Sequence, residues 1–327
     1  MRTRIFFSLV TFAPALIIVT GCTDAGAGGG TLQQSANPLA DVENVEFATF
    51  GDTATSSASG TMLSVQAGSA SSTYSDATNI NQSLTVTLVN LVISEVRSRA
   101  RAGDDLAQPF HFQDTLAEDE VQGVEGTIEQ HFTIQLNESE SGYTFHGFES
   151  QRSYDSNGDL DASSSWDDAP IELRFNSDLT TAQFVLKGGS AGAEALSFSY
   201  QTRSGDQSSK WMHESDWTYS YKALENNDNI TYTLFQSDST PTEVMLQVEA
   251  GIAYAHYDTT TIYDLLDLAG DSIGTPSEST QEALDGIESG LTEEFVETEI
   301  NAVMDDATLS GSIFDAMLPL HQNSKEL

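Results

Sequence analysis

The chain has 327 residues, 50 of them acidic and only 12 basic, for a net charge of −38. That balance excludes nucleic acid as a partner, because phosphate binding needs clustered Lys and Arg, and it argues against electrostatic attachment to anionic lipid. A hydrophobic fraction of 39% with 9% aromatics is still enough for a core, so this is no disordered acidic tail.

Arg2 and Arg4 precede an apolar run from Ile5 to Val19, interrupted by Pro14 and shorter than the ~20 residues that span a bilayer. Val19-Thr20-Gly21-Cys22 follows directly, and Cys22 is the chain's one cysteine. A lone thiol has no disulfide partner and is a good nucleophile for alkylation. The order aliphatic, small, small, cysteine after such a leader resembles the lipobox of bacterial lipoprotein precursors. The resemblance covers residues 1–22 and implies cleavage before Cys22, a diacylglycerol on its sulfur and an acyl chain on its freed amine. Membrane lipid is then the expected partner, through acylated Cys22. Each buried CH₂ contributes ~0.8 kcal/mol, so two or three chains anchor stably where one does not. Thr23 stands where an Asp would retain such a protein at the inner membrane, so the resemblance implies the outer membrane. Residues 1–21 are expected to be a leader and 22–44 the lipidated cysteine with a flexible tether, since Ala25 to Leu39 is small and polar. The leader holds two basic residues and no acid, so its removal leaves 306 residues and a charge of −40. The acids are spread along the chain, which reads as solubility or adaptation to salt rather than one cation-binding patch.

Residues 45–70 are rich in Thr, Ser and Gly and alternate weakly, as one or two strands would. Over 76–103 the spacing Leu84, Leu88, Leu91, Glu95 predicts a helix, closed by Arg97, Arg99 and Arg101 before Gly103. From Gly126 the period becomes two. Ile128, Phe132, Ile134 and Leu136 fall on one face, and Thr127, Glu129, His131 and Thr133 on the other. About eight strands follow, separated by turn signals such as Asn157-Gly158, Gly188-Gly189 and Asn226-Asn227. Short links favour antiparallel pairing. After Thr275-Pro276 the period returns to helical through Leu284, Ile287, Leu291 and Phe295, with capping-box spacing at Ser279 and Glu282. A shorter apolar piece runs from Ile313 to Leu320. The expected fold is mainly β with flanking helices (α+β): an antiparallel curled sheet over 45–265, as a barrel, half-barrel or sandwich, with one early helix, then a C-terminal helical segment over 266–327. A transmembrane barrel is disfavoured by the lipobox and the helical end.

Two G-x-S-x-G strings occur, GGSAG around Ser190 and GDSIG around Ser272. A nucleophile elbow needs a strand before the serine and a helix after it. GGSAG reads as a hairpin loop between strands. GDSIG is similar to the first block of GDS-type esterases, but their later Asp-x-x-His pair is absent. YDSNGDLD sets Asp155, Asn157 and Asp159 at the first ligand spacings of an EF-hand loop, with Leu160 where the Gly belongs and Trp166 where the Glu belongs. A turn on Asn157-Gly158 accounts for it better. His131 and His146 are expected on the same face of one hairpin, near Glu129. No Cys-x-x-Cys, His-Glu-x-x-His, phosphate loop or dinucleotide fingerprint occurs, so no cofactor, metal or catalytic residue is expected. KWMHESDWTYSY, read as one strand, sets Trp211, His213, Trp217, Tyr219 and Tyr221 on one face, either a core stripe or a surface for sugars or an apolar ligand.

Two function classes follow. The first is a non-enzymatic binding or interaction lipoprotein whose curled sheet holds an apolar or glycan ligand, with Trp211, Trp217, Tyr219 and Tyr221 as the candidate face. In architecture alone this is similar to the half-barrel carriers of lipoprotein traffic; a structural surface lipoprotein is its plainer form. The second is a serine hydrolase acting through Ser190 or Ser272.

Overall fold

The computed structural model describes residues 37–46, 83–117, 120–121, 126–139, 141–160, 168–187, 195–202, 207–214, 219–226, 229–236, 243–257, 260–289 and 302–325. The leader, Cys22 and nearly all of the strands expected over 45–70 lie outside them. Helix α1 (Leu84–Ala102) starts where Ser83 accepts a hydrogen bond from the Val86 amide, at 3.3 Å. It stops at Gly103, whose φ of +80° suits a residue without Cβ. Val86, Val89, Val92, Ile93 and Val96 are wholly buried and lie within an arc of about 120°, one apolar stripe turned to the core. A short 3₁₀ turn, Pro38–Asp41, lies beside it. Leu39, Val42 and Val45 are buried there, while Arg97 and Arg101 donate to the Val42 and Ala40 carbonyls. Residues 37–44, within the stretch expected to be a tether, instead place Leu39 and Val42 in the core.

Among the described residues thirteen strands follow in one antiparallel sheet, each paired with its neighbours in sequence. They are β1 (Phe110–Ala117), β2 (Thr127–Ser139), β3 (Gly142–Tyr154), β4 (Ala169–Asn176), β5 (Thr181–Lys187), β6 (Ala195–Thr202) and β7 (Gln207–Glu214), then β8 (Tyr219–Asn226), β9 (Asn229–Gln236), β10 (Glu243–Val248), β11 (Gly251–His256), β12 (Ile262–Leu266) and β13 (Ser272–Gly274). Among the described residues β1 and β13 are the edges, and the sheet they bound is open rather than a closed barrel. The expected eight strands are too few because the apolar pattern runs unbroken through tight turns. VMLQVEAGIAYAHY, for example, is β10 and β11 with Val248 facing Gly251. IYDLLDLAG supplies β12 and a turn, and the sheet continues to Gly274 rather than ending near 265. Helix α2 (Glu278–Glu288) is capped by Ser277, two residues before the expected Ser279, because the Ser277 hydroxyl accepts from the Thr280 amide. Helices α3 (Ala302–Asp306) and α4 (Ser312–Ser324) complete the described chain.

Phe132, Ile134, Phe145, Leu173 and Phe184 pack with α1 in one core, and Tyr232, Met245, Ile252 and Tyr254 from the far end of the sheet join the same core. The sheet thus curls around α1, which lies on its inner face. The outer face carries the later helices. Leu284 of α2 packs on Val244, Ala253 and Ala255, and Phe314 and Met317 of α4 pack on Phe148. Among the described residues no helix is long and apolar enough to cross a membrane.

Candidate functional site

The sequence-predicted residues do not converge. Ser190 lies outside the described residues, on the link between β5 and β6, whose ends pair as Lys187 and Ala195. Ser272 sits in the edge strand β13 and donates to Asp264 at 2.6 Å. Strand pairs with strand there, so the strand-to-helix elbow is missing. KWMHESDWTYSY is not one strand but two, β7 and β8. Its register sets Trp211 against Lys222 and Tyr221 against Met212. Trp217 lies outside the described residues.

Asp155 accepts from the Asn157 and Asp159 amides, both at 2.9 Å, and these bonds hold its carboxyl below the usual range. YDSNGDLD is a turn closed by its own backbone. Asp267 caps DLAGD in the same way. His131 and His146 do share a face of the β2–β3 hairpin, facing Ser150 and Gln135. They serve different carboxylates, Glu129 at 3.1 Å and Glu172 at 2.9 Å. Among the described residues no group of three His, Cys, Asp or Glu could hold a metal ion.

What the fold brings together is a polar seam where the C-terminal segment crosses the outer face of β2–β4. His321 of α4 is fully buried, with one ring nitrogen 2.8 Å from Thr133 and the other 2.7 Å from Ser150. His111 Nδ1 meets Thr133 at 2.7 Å, and Ser150 donates to Asp168 at 2.9 Å. Lys325 bonds the same Asp168 oxygen, and Gln322 donates to the other at 2.9 Å. Hydrogen accounting then runs one way. Asp168 is an acceptor, so Ser150 spends its hydrogen there and accepts from His321 Nε2–H. His321 Nδ1 accepts from Thr133, which accepts from His111. A neutral His321 satisfies every member. Burial and then the charge of Lys325 push its pKa down to about 4. Burial raises Asp168, but Lys325, Gln322 and Ser150 outweigh it and hold the carboxyl below its ordinary value. Ser150 and His321 are within reach of each other, but the hydrogen runs from His321 to Ser150, opposite to that of a nucleophile and its base, and both are fully buried. They fasten the helix instead.

A second fastening lies farther along. Glu172, also buried, takes His146, Arg174 at 2.7 Å and the Thr308 amide at 2.9 Å, while Arg174 bonds Asp306. On this outer face His131 and Thr133 are buried, and Thr133 bonds His321 of α4.

The inner face holds two polar side chains of another kind. Gln130 lies between Ile128 and Phe132, fully buried, and neither amide atom has a hydrogen-bond partner. Glu149 faces Phe132 on β2 and Ala169 on β4, and its Oε1 is likewise unpartnered. Burial pushes its pKa up to about 8, against the pull of Lys325. Each such group costs about 1–3 kcal/mol of desolvation without return, so the pair is a place where the fold gives up stability. Sequence reasoning passed over both, though Gln130 is the one gap in the apolar stripe from Ile128 to Leu136. His321 had a signal too, at helical spacing from Phe314 and Met317.

Comparison of the chain with protein-family models, with curated proteins and with solved structures finds no match in any of the three.

Proposed function

We propose that this chain is a lipid-anchored protein of the bacterial cell envelope, held at the outer membrane through acylated Cys22, which binds an amphiphile without turning it over. The observation that supports this reading is the apolar core shared by α1, β1–β5 and β9–β12. A curled sheet lined by Phe132, Phe145 and Phe184 offers an apolar surface that suits an acyl chain, and α1 packs on that surface. Apolar contacts are non-directional, so a helix held mainly by them can exchange for another apolar body. The charge of −38 weighs against nucleic acid and anionic partners, and a neutral apolar ligand is indifferent to it.

The test uses the Cys22→Ala protein, which lacks the anchor and stays in solution. Titrated with a fluorescent fatty-acyl probe, it should take the probe up saturably, and unlabelled lipid should compete. Absence of saturable uptake by the folded protein would overturn the carrier reading and leave a structural surface role.

A further inference from the structure

The unsatisfied pair on the inner face carries the carrier reading one step further. Strand register places Gln130 opposite Gln151 and Glu149 opposite Phe132, so Gln130 and Glu149 are diagonal neighbours on one face of the β2–β3 hairpin. That face is the one turned to α1, since Phe132 and Ala169, the residues paired with Glu149, both belong to the α1 core. Leu84 and Leu91 of α1 pack on the cluster containing Ile128, two residues from Gln130 on the same face. Both polar side chains are more than nine-tenths buried and hold atoms with no partner. Buried polar groups are nearly always paired in native proteins, and two adjacent exceptions in an apolar wall mark a place built for something else to pair with.

We propose that Gln130 and Glu149 form the head-group end of a ligand site on the inner face, and that its ligand is a neutral amphiphile: an acyl chain ending in hydroxyl and carbonyl groups, as in an acylglycerol. This rests on the carrier reading above. Gln130 offers two donors and an acceptor, matching a head that both donates and accepts. A buried carboxyl beside it, in a chain of net charge −38, disfavours a carboxylate or phosphate head. From Gln130 the same face continues through Phe132, Ile134 and Leu136, a run of about 20 Å at ~3.3 Å per residue, long enough for an extended acyl chain. All three are buried in the apolar core.

The test is binding of monoolein and of oleate to the Cys22→Ala protein, alone and with Gln130→Leu and Glu149→Leu together. The wild-type wall should bind monoolein saturably and at least tenfold more tightly than oleate. The double variant should bind monoolein at least tenfold more weakly, yet melt at a higher temperature, because two unpaired polar groups are gone. Glu149→Gln alone keeps shape and hydrogen bonding and should keep the binding, which also covers the case in which the double variant does not fold. Monoolein binding that survives the double substitution, is lost in Glu149→Gln, or is weaker than oleate binding overturns the head-group site while the carrier reading stands. A wild-type wall that binds neither lipid removes both.

Discussion

Acid should release the C-terminal helix from the sheet. His321 is neutral in the fold because its neighbours accept and donate in one direction, and because burial and Lys325 lower its pKa from 6.5 to about 4. A histidine whose folded pKa lies below its unfolded one stabilises the fold fully above the unfolded value and loses that contribution as pH falls. The window is therefore pH 6.5 down to about 4, and the drop corresponds to ~3 kcal/mol. Asp168 stays ionised through most of that window, being held below its ordinary value, so Lys325 keeps its partner while His321 titrates. His111 and His131 also face this seam, and their charge lowers the His321 pKa in the same direction. Hydrogen exchange of residues 312–325, corrected for the intrinsic pH dependence of exchange, reads the effect directly. Protection there should fall between pH 6.5 and 4 while β4 and β5 remain protected. His321→Gln, which cannot take the proton, should start less protected and show little further loss. Equal pH dependence in the variant, or full protection of α4 at pH 4, would refute the proton accounting.

Glu149 acts in the opposite sense. Its folded pKa is raised to about 8, so its contribution is whole below 4.5 and is lost as pH rises through 8; Glu149→Gln should remove that loss and raise the thermal midpoint at pH 8 more than at pH 5. Gly147 sits where an added Cβ would lie 2.1 Å from the Thr133 carbonyl. Gly147→Ala must push β2 from β3 and should cost about 3 kcal/mol or more in a denaturant titration, whereas a cost under 1 kcal/mol would mean the strands are not so close. In cells given labelled palmitate the protein should carry label and sediment with membranes, and Cys22→Ala should do neither; an unlabelled, soluble wild type would remove the anchor.

Much of the architecture is legible in the sequence, and the limits have physical causes. The arginines before Gly103 close α1 as read, because cations and a left-handed glycine both suit a helix C-terminus. Alternation identifies strands but not their ends. The tight turn between Val248 and Gly251 inverts which parity faces the core, but Val244 and Met245 are buried on both faces of β10, so the apolar pattern shows no break and β10 with β11 reads as a single strand. Polar residues facing outward look solvated, and nothing in β2 itself says that α4, some 180 residues later, will cover Thr133. The sites were the least legible. Gln130 and Glu149 are single polar residues in apolar stripes, and they become conspicuous only when the structure leaves their atoms without partners.

Binding of an acyl chain on the inner face requires α1 to give up its place there. Hydrogen exchange of the Cys22→Ala protein, with and without saturating monoolein, follows the amides of residues 84–102 against those of β2 and β3. Without ligand α1 should be protected as a core helix, since Val86, Val89 and Val96 are wholly buried. With ligand, protection of α1 should fall while β2 and β3 hold theirs. Protection of α1 that stays unchanged or rises, under conditions where monoolein is bound, would contradict the exchange of helix for acyl chain.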